Sequence, residues 1–326
     1  MNITFFQRSP KAGFSIHRVF SPIINNLENE NISKFDVPCH RALPLSILRN
    51  IFFVFKHRNK HGINHITGDI HYCMIALYGC KTVLTIHDLS AMDSKTNPIT
   101  KSLAKFLWFT IPLSIADKVV CISNHTKNDL MKITKRTDIE VIYNAVDPIF
   151  KTNNKNFNIF KPCILQIGTA WNKNILNIIE AVSSITCHLR IIGLCDISIL
   201  NKLKLYNISF SIGINLTDYE ILDEYKKCDI VSFCSIYEGF GMPIIEGNAI
   251  GRCVITSSIP PMNEIASNSA CLINPNSIKS IRKGFSEIIN NQDYRKQLIK
   301  NGRKNAERFQ IFNTIKLYSE IYHSLI

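Results

Sequence analysis

Short apolar runs alternate along nearly the whole chain with stretches in which apolar residues recur every three or four positions. "NITFF" opens as a strand. "SIHRVFSPIINNLEN" then places Ile16, Val19, Phe20, Ile23, Ile24 and Leu27 at the helical period. Strand-like runs follow at "HIT", "KTVLTIH", "DKVVCIS" and "EVIYN", with helical stretches between most of them. A polar stretch, "KTNNKNFN" (151–158), interrupts the pattern, and the alternation restarts after it. "CILQIG", "LRIIG", "ISFSIG", "DIVSFCSI" and "RCVITSS" read as strands. "NKNILNIIEAVSSI", "DYEILDEYKKC" and "PIIEGNAI" read as helices. Strands alternating with helices predict parallel sheets built from right-handed β-α-β units. Two such runs predict an α/β chain with two doubly wound, Rossmann-like domains facing a cleft, residues 1–150 and 159–311. Such sheets bind ligands at the carboxyl ends of their strands. With two of them, the cleft is the expected site.

The 326 residues suit two domains, and 46% apolar content supplies material for both cores. The net charge of +13 is spread over the chain: residues 1–150 carry 18 Lys+Arg against 11 acids, and the remainder 20 against 14. Anionic partners follow from it, whether phosphorylated small molecules, anionic lipid or nucleic acid. The eleven cysteines form no C-x-x-C pair and no metal-ligand spacing. The N-terminus reads into a strand rather than a signal peptide, so reduced thiols and a cytoplasmic location are expected. The apolar runs "LPLSILRNIFFVF" and "FLWFTIPLSIA" are too short or too interrupted to span a bilayer.

"SIYEGFGMPIIEG" (235–247) concentrates the candidate chemistry. Tyr237 and Glu238 end an apolar strand, and "EGFG" turns on glycines that permit positive φ. Pro243 suits the first helical position, and Gly251 the residue after the helix. The N–H groups of Met242, Ile244 and Ile245 are then free, and a helix N-terminus carrying ~0.5 of a positive charge binds phosphate. A carboxylate aimed at that phosphate would repel it, so Glu238 and Glu246 should flank the anion. Each can accept hydrogen bonds from neutral hydroxyls, Glu246 from a diol. Hydroxyls, diphosphate and hydroxyls together describe a nucleotide sugar. Gly247 falls inside this helix, at a cost of roughly 0.5–1 kcal/mol relative to Ala.

The segment resembles the E-x(7)-E motif of retaining glycosyltransferases of the GT-B fold, the group 1 family, in their bacterial polysaccharide-building form. "ADKVVCISNHTKNDL", "IEVIYNAVD", "LQIGTAWNKNILNIIEA", "SIPPMNEIA" and "ACLINPNS" resemble further segments of that family, and "HITGDIHY" and "TVLTIHDLS" its first-domain elements. The resemblance implies an acceptor-binding first domain joined by a C-terminal helix, 312–326, that crosses back to it. That helix would offer Ile315, Leu317, Tyr318 and Ile321 as a packing face. It implies a second domain that binds the donor, transfer with retention from a nucleotide-diphosphate sugar, and no metal or other cofactor. No D-x-D occurs. The implied acceptor is a glycan or lipid-linked glycan of surface polysaccharide such as O-antigen, lipopolysaccharide or capsule. Matched by position, Glu238 would hold sugar hydroxyls, Glu246 the ribose diol and Lys173 the diphosphate. The backbone N–H groups of Gly241, Met242 and Ile244 would face that diphosphate. Gly168, Thr169, Gly239, Phe240 and Pro243 would complete the donor site. Gly13, in "SPKAGFS", would let a first-domain loop approach the phosphate, and His87 would sit by the transferred sugar. The chain departs from many relatives in having Asn172 where a basic residue is common, which leaves Lys173 as the clear cation, with Lys11 or Arg18 as compensating candidates. Ala145 stands where Gly is commoner.

His87 and Asp88 follow a buried-looking strand, and an adjacent His-Asp pair suits acid–base work or a polar strand end. His65, Asp69 and His71 fit no zinc spacing. Asp69 and His71 are acceptor-side candidates, with Asp69 alternatively a helix cap. Ser123 reads as a helix cap. A nicotinamide-dependent oxidoreductase would need G-x-G-x-x-G, which is absent. A basic α/β nucleotide- or nucleic-acid-binding protein without transferase activity is the alternative reading, although no nucleic-acid module appears and no nucleic-acid partner is expected. Residues 37–68 contain no Asp or Glu, but Arg41, Arg49, Lys56, Arg58 and Lys60 surround "LSILRNIFFVF". That pattern predicts a peripheral contact with the anionic inner face of the cell membrane.

Overall fold

The computed structural model describes residues 1–13, 15–27, 30–93 and 97–326. Glu28 and Asn29, at the end of the first expected helix, lie outside the described residues, as does Phe14 of "SPKAGFS". The chain divides into two compact units, one of residues 1–145 with 311–326 and one of residues 146–310.

In the first unit, β1 (Asn2–Gln7), β2 (Asn31–Asp36), β3 (Ile63–Ile66), β4 (Lys81–Ile86), β5 (Lys118–Cys121) and β6 (Ile139–Val141) form one parallel sheet. Its order is β2-β1-β3-β4-β5-β6. Ile3 stands level with Ile32 of β2 and Ile63 of β3. The inner strands are buried on both faces and read as continuous apolar runs for that reason. The helix Ile311–His323 belongs to this unit and buries Thr314, Tyr318, Ile321 and Tyr322. Leu317, expected on that face, is 42% exposed. The buried set follows the helical stripe, and Leu317 falls one position off it. Tyr322 takes its place because its hydroxyl meets His65 Nδ1 at 2.8 Å.

In the second unit, β7 (Cys163–Ile167), β8 (His188–Ile192), β9 (Ser209–Gly213), β10 (Ile230–Phe233), β11 (Cys253–Ser257) and β12 (Cys271–Ile273) form a parallel sheet of order β12-β11-β10-β7-β8-β9. Residues 151–158 pack onto this unit. Asn153 N–H donates to the Ile250 carbonyl, and Lys155 pairs with Asp229. The helix Asp218–Lys227 opens on a capping box between Thr217 and Glu220.

The helix Met242–Ile250 places Pro243 at its second position and ends on Gly251 in the left-handed conformation, φ 83°. Its interior glycine has a packing reason. A Cβ on Gly247 would lie 2.9 Å from Val254 Cγ2 and 3.0 Å from Val231 Cγ2, so only a bare backbone lets the helix settle on β10 and β11. Overpacking of this kind costs about 1–3 kcal/mol, against about 0.5–1 kcal/mol gained in helix propensity. Gly247→Ala is therefore expected to lower the melting temperature by about 2–8 °C. A variant that melts at or above wild type would show that β10 and β11 yield freely to the added methyl.

Candidate active site

Each sheet has one place where strand order reverses, and ligands of parallel sheets bind outside the strand ends there. In the second unit β7 has β8 on one side and β10 on the other. The loops after β7 and β10 are therefore the candidate site. The first runs through Gly168, whose φ of 85° suits glycine. A Cβ there would lie 3.1 Å from Lys173 Cγ and Cε, so the bare backbone makes room for the lysine stem. Thr169 Oγ1 donates to the Leu194 carbonyl at 2.5 Å and fixes the loop to the end of β8. Trp171–Lys173 form one tight turn, and Asn174, at φ 59°, ties it to the Cys234 and Pro275 carbonyls.

The second loop is stitched to the first. Ile236 N–H donates to the Asn172 carbonyl at 2.9 Å, and Asn172 Nδ2 donates to the Tyr237 carbonyl at 2.9 Å and to Glu238 Oε1 at 3.2 Å. β10 ends at Phe233, short of the Tyr237–Glu238 end that the sequence pattern predicts. Lys173 Nζ lies 2.6 Å from Glu238 Oε1, with both side chains mostly covered. The expected diphosphate cation and the expected sugar carboxylate are thus brought together as an ion pair. Asn172 buttresses the carboxylate.

Gly241, at φ 130°, leads into the helix. Ile244 N–H donates to the Gly241 carbonyl at 3.0 Å. That corrects the expectation that it faces an anion, because the first turn closes on itself. Pro243 has no N–H. Met242 N–H keeps its place at the helix mouth. Phe240 is buried edge-on to Phe309, at 5.8 Å between ring centroids, and Gly239 links it to Glu238. Glu246 is 2% exposed, and Tyr225 donates its hydroxyl to Glu246 Oε2 at 2.5 Å. Tyr225 lies on the Asp218–Lys227 helix, and sequence alone gave no sign of this partnership.

In the first unit the reversal falls between β1 and β3. Gly13, φ 117°, lies on the loop after β1, and Gly68, φ 136°, follows β3. A Cβ on Gly68 would lie 2.4 Å from His87 Cδ2, so the imidazole rests directly on the Gly68 backbone. His87 Nε2 donates to the Thr67 carbonyl at 2.8 Å, which leaves Nδ1 as the acceptor of the neutral ring. Burial holds the His87 pKa below its ordinary value, and the Thr67 carbonyl only partly offsets it. Asp88 Oδ1 instead accepts from Ser90 N–H, at 2.8 Å, and from the Ser90 hydroxyl. Ser123 caps its helix by accepting from Thr126 N–H at 3.0 Å, and Thr126 Oγ1 donates to the His87 carbonyl.

Arg8 holds this edge together and was not foreseen. It donates to the Gly13 carbonyl at 3.2 Å and to Ser15 Oγ at 2.9 Å, and it lies 3.4 Å from Asp69 Oδ2. Its position directly after β1 was the available signal. Lys11 is exposed on the turn Pro10–Ala12, and Arg18 is half-buried in the next helix. Asp69 is exposed at φ 62° and caps no helix: the turn His71–Leu77 starts from Ile70. His71 is buried, with Nδ1 bonded to the Trp108 carbonyl at 3.0 Å, while Trp108 Nε1 donates to the Asp69 carbonyl at 2.7 Å. Trp108 thus links His71 to the Asp69 backbone. His65 turns inward, between Tyr322 and Thr85. Among the described residues no three His, Cys, Asp or Glu side chains converge as a metal site.

Residues 150–305 match the family model of glycosyl transferases group 1, and residues 10–150 match that of glycosyltransferase family 4. Together they span residues 10–305, which leaves β1 and the helix Ile311–His323 outside the matches. The chain is a GT-B glycosyltransferase. An uncharacterized glycosyltransferase of Methanocaldococcus jannaschii is 27% identical over 256 residues, covering 73% of this chain and 68% of that protein. The O-antigen chain mannosyltransferase RfbU of Salmonella typhimurium is 28% identical over 227 residues, covering 63% of this chain and 60% of RfbU. Sucrose-phosphate synthase from Thermosynechococcus elongatus superposes with a TM-score of 0.82 at 14% identity, covering 100% of this chain and 99% of that one. Anabaena HepE, solved in complex with UDP-glucose, superposes with a TM-score of 0.80 at 15% identity, covering 99% and 100%. For this glycosyltransferase, both structural likenesses establish the GT-B fold.

Proposed function

We propose that this glycosyltransferase moves a sugar, with retention of configuration, from a nucleotide-diphosphate donor to a glycan or lipid-linked acceptor of surface polysaccharide. The observation that carries the reading is the Lys173–Glu238 pair, set at the strand-order reversal of the second sheet and beside the mouth of the Met242–Ile250 helix. The UDP-glucose bound to HepE and the O-antigen role in RfbU's name support it. An arriving diphosphate takes Lys173 Nζ and Met242 N–H, and releases Glu238 from its ion pair to accept hydrogen bonds from the sugar. Lys173 then stabilises the charge that builds on the leaving diphosphate. Glu246, steadied by Tyr225, receives the ribose diol. The scheme calls on no metal and no cofactor. Within the first unit, taken by itself, we assign Gly13 to a phosphate contact, His87 Nδ1 to a sugar hydroxyl and Asp69 to the acceptor. Asp88 and His71 support these two from behind. We assign the transfer to the inner face of the cell membrane. The alternative of a basic nucleotide- or nucleic-acid-binding protein without transferase activity is not favoured, since both halves of the chain match glycosyltransferase models.

The test is a donor screen followed by product stereochemistry. Thermal stabilisation by UDP, GDP or ADP identifies the base, and transfer from the corresponding sugar nucleotide gives the product. NMR of the new anomeric centre is expected to show α linkage from an α-linked donor. A β product would remove the enzyme from the retaining class.

A further inference from the structure

The helix Pro44–His57 exposes an apolar stripe on its outer face. Only Asn50 and Val54 are fully buried along it, and Ile47, Ile51 and Phe53 pack partly on the core. Asn50 locks the helix in place through the Cys39 backbone, at 3.0 Å both ways, and the Tyr72 hydroxyl, at 2.8 Å. The opposite side carries Leu45, Leu48, Phe52 and Phe55, each at least half exposed, at spacings of three, four and three. Soluble surfaces rarely align four large apolar side chains in this way. Arg49 and Lys56 flank the stripe and are exposed.

At the C-terminal end of the helix is an open hollow of about 640 Å³. Its lining includes Lys56, His57, Arg58, Lys60, His61 and Ser33, and no carboxylate occurs among its described lining residues. Arg58 is fixed by donating to the Ala76 carbonyl at 2.9 Å and by lying 3.7 Å over the Phe55 ring. Arg41 stands exposed shortly before the start of the helix. Among the described residues no helix is long and apolar enough to cross a membrane, so a surface contact is the relevant geometry.

We propose that this face docks on an anionic lipid bilayer. Leu45, Leu48, Phe52 and Phe55 enter the boundary between headgroups and acyl chains, and the basic hollow receives a lipid phosphate. Charge complementarity decides the occupant. An apolar stripe bordered by cations and free of carboxylates matches an anionic lipid surface, whereas a second copy of this face would set cation against cation. The inference rests on this surface alone and does not depend on the transfer reaction.

Co-sedimentation with vesicles tests it, without any activity readout. The chain is expected to sediment with vesicles of phosphatidylglycerol mixed into phosphatidylcholine, to stay in solution with phosphatidylcholine alone, and to be released by high salt. Leu48→Ser with Phe52→Ser should weaken binding about ten-fold or more. Lys56→Glu with Lys60→Glu should do the same. Arg58 is left in place because its backbone bond belongs to the fold. Circular dichroism confirms that both exposed-residue variants remain folded. Equal sedimentation of wild type and either variant would overturn the proposal. So would equal binding to neutral and anionic vesicles. Self-association in solution that the serine substitutions abolish would reassign the face to a dimer interface and overturn it as well.

Discussion

Replacing Lys173 by Ala is expected to lower turnover by roughly two to three orders of magnitude with little change in stability. The rate loss follows from position. The Lys173 stem lies over Gly168, and its Nζ is held 2.6 Å from Glu238, at the mouth of the Met242–Ile250 helix. No second cation on this loop can take over, because Asn172 occupies the neighbouring position and is committed to the Tyr237 carbonyl and Glu238. The small stability change follows from what remains: Glu238 keeps its hydrogen bond from Asn172, and an ion pair at the edge of solvent contributes on the order of 0–1 kcal/mol. Glu238→Gln should also impair transfer while the fold survives, since the amide oxygen can still accept from Asn172 but offers hydroxyls a weaker acceptor. Single-turnover measurements with a verified donor separate these effects from donor release. If both variants keep near wild-type rates, the site assignment is wrong.

The alternation of strands and helices was legible because inner parallel strands are covered on both faces and are mostly apolar, buried polar residues such as Asn64 and His65 of β3 being the exceptions. β2 escaped notice for the converse reason. It is an edge strand, and its "NISKFD" run leaves Asn31, Ser33 and Lys34 exposed. The glutamate pair and Lys173 could be picked out because turn glycines, a proline and a helix start mark their places locally. Arg8, Gly68 and Tyr225 could not. Arg8 becomes a clamp only when β1 and β3 lie side by side. Gly68 is needed only because a ring 19 residues later rests on it. Tyr225 meets Glu246 across two helices. Glu246 illustrates the mixture: its spacing from Glu238 was visible, its burial was not.

Acidification is expected to destabilise the first unit well before carboxylates protonate. Burial pushes the His65 pKa down to about 3 and the His71 pKa down to about 4, and it lowers that of His87. His65 spends its ring nitrogens on the Tyr322 and Thr85 hydroxyls, inside a cage of Phe5, Phe20 and Tyr318 that has no room for a hydrated charge. In the unfolded chain each histidine takes its proton near pH 6.5. Between that value and the depressed folded value, the unfolded state binds more protons, so stability is present above about pH 6.5 and falls with pH. By about pH 5, His65 and His71 each cost roughly 2 kcal/mol, together a large share of a typical 5–15 kcal/mol. The second unit has one histidine, His188, whose pKa burial also lowers, but it is part-exposed between Ser209 and Ser211 and screened by water. The two tryptophans fall one in each unit, and Trp171 is 76% exposed. Trp171→Phe therefore leaves Trp108 as the reporter of the first unit. Denaturant unfolding followed by its fluorescence should show the midpoint dropping steeply from about pH 7 to about pH 5. His65→Leu should be less stable at neutral pH, through the lost Tyr322 and Thr85 bonds, yet show roughly half the pH dependence. A Trp108 transition that does not move over this range would mean that these rings are not held neutral by burial.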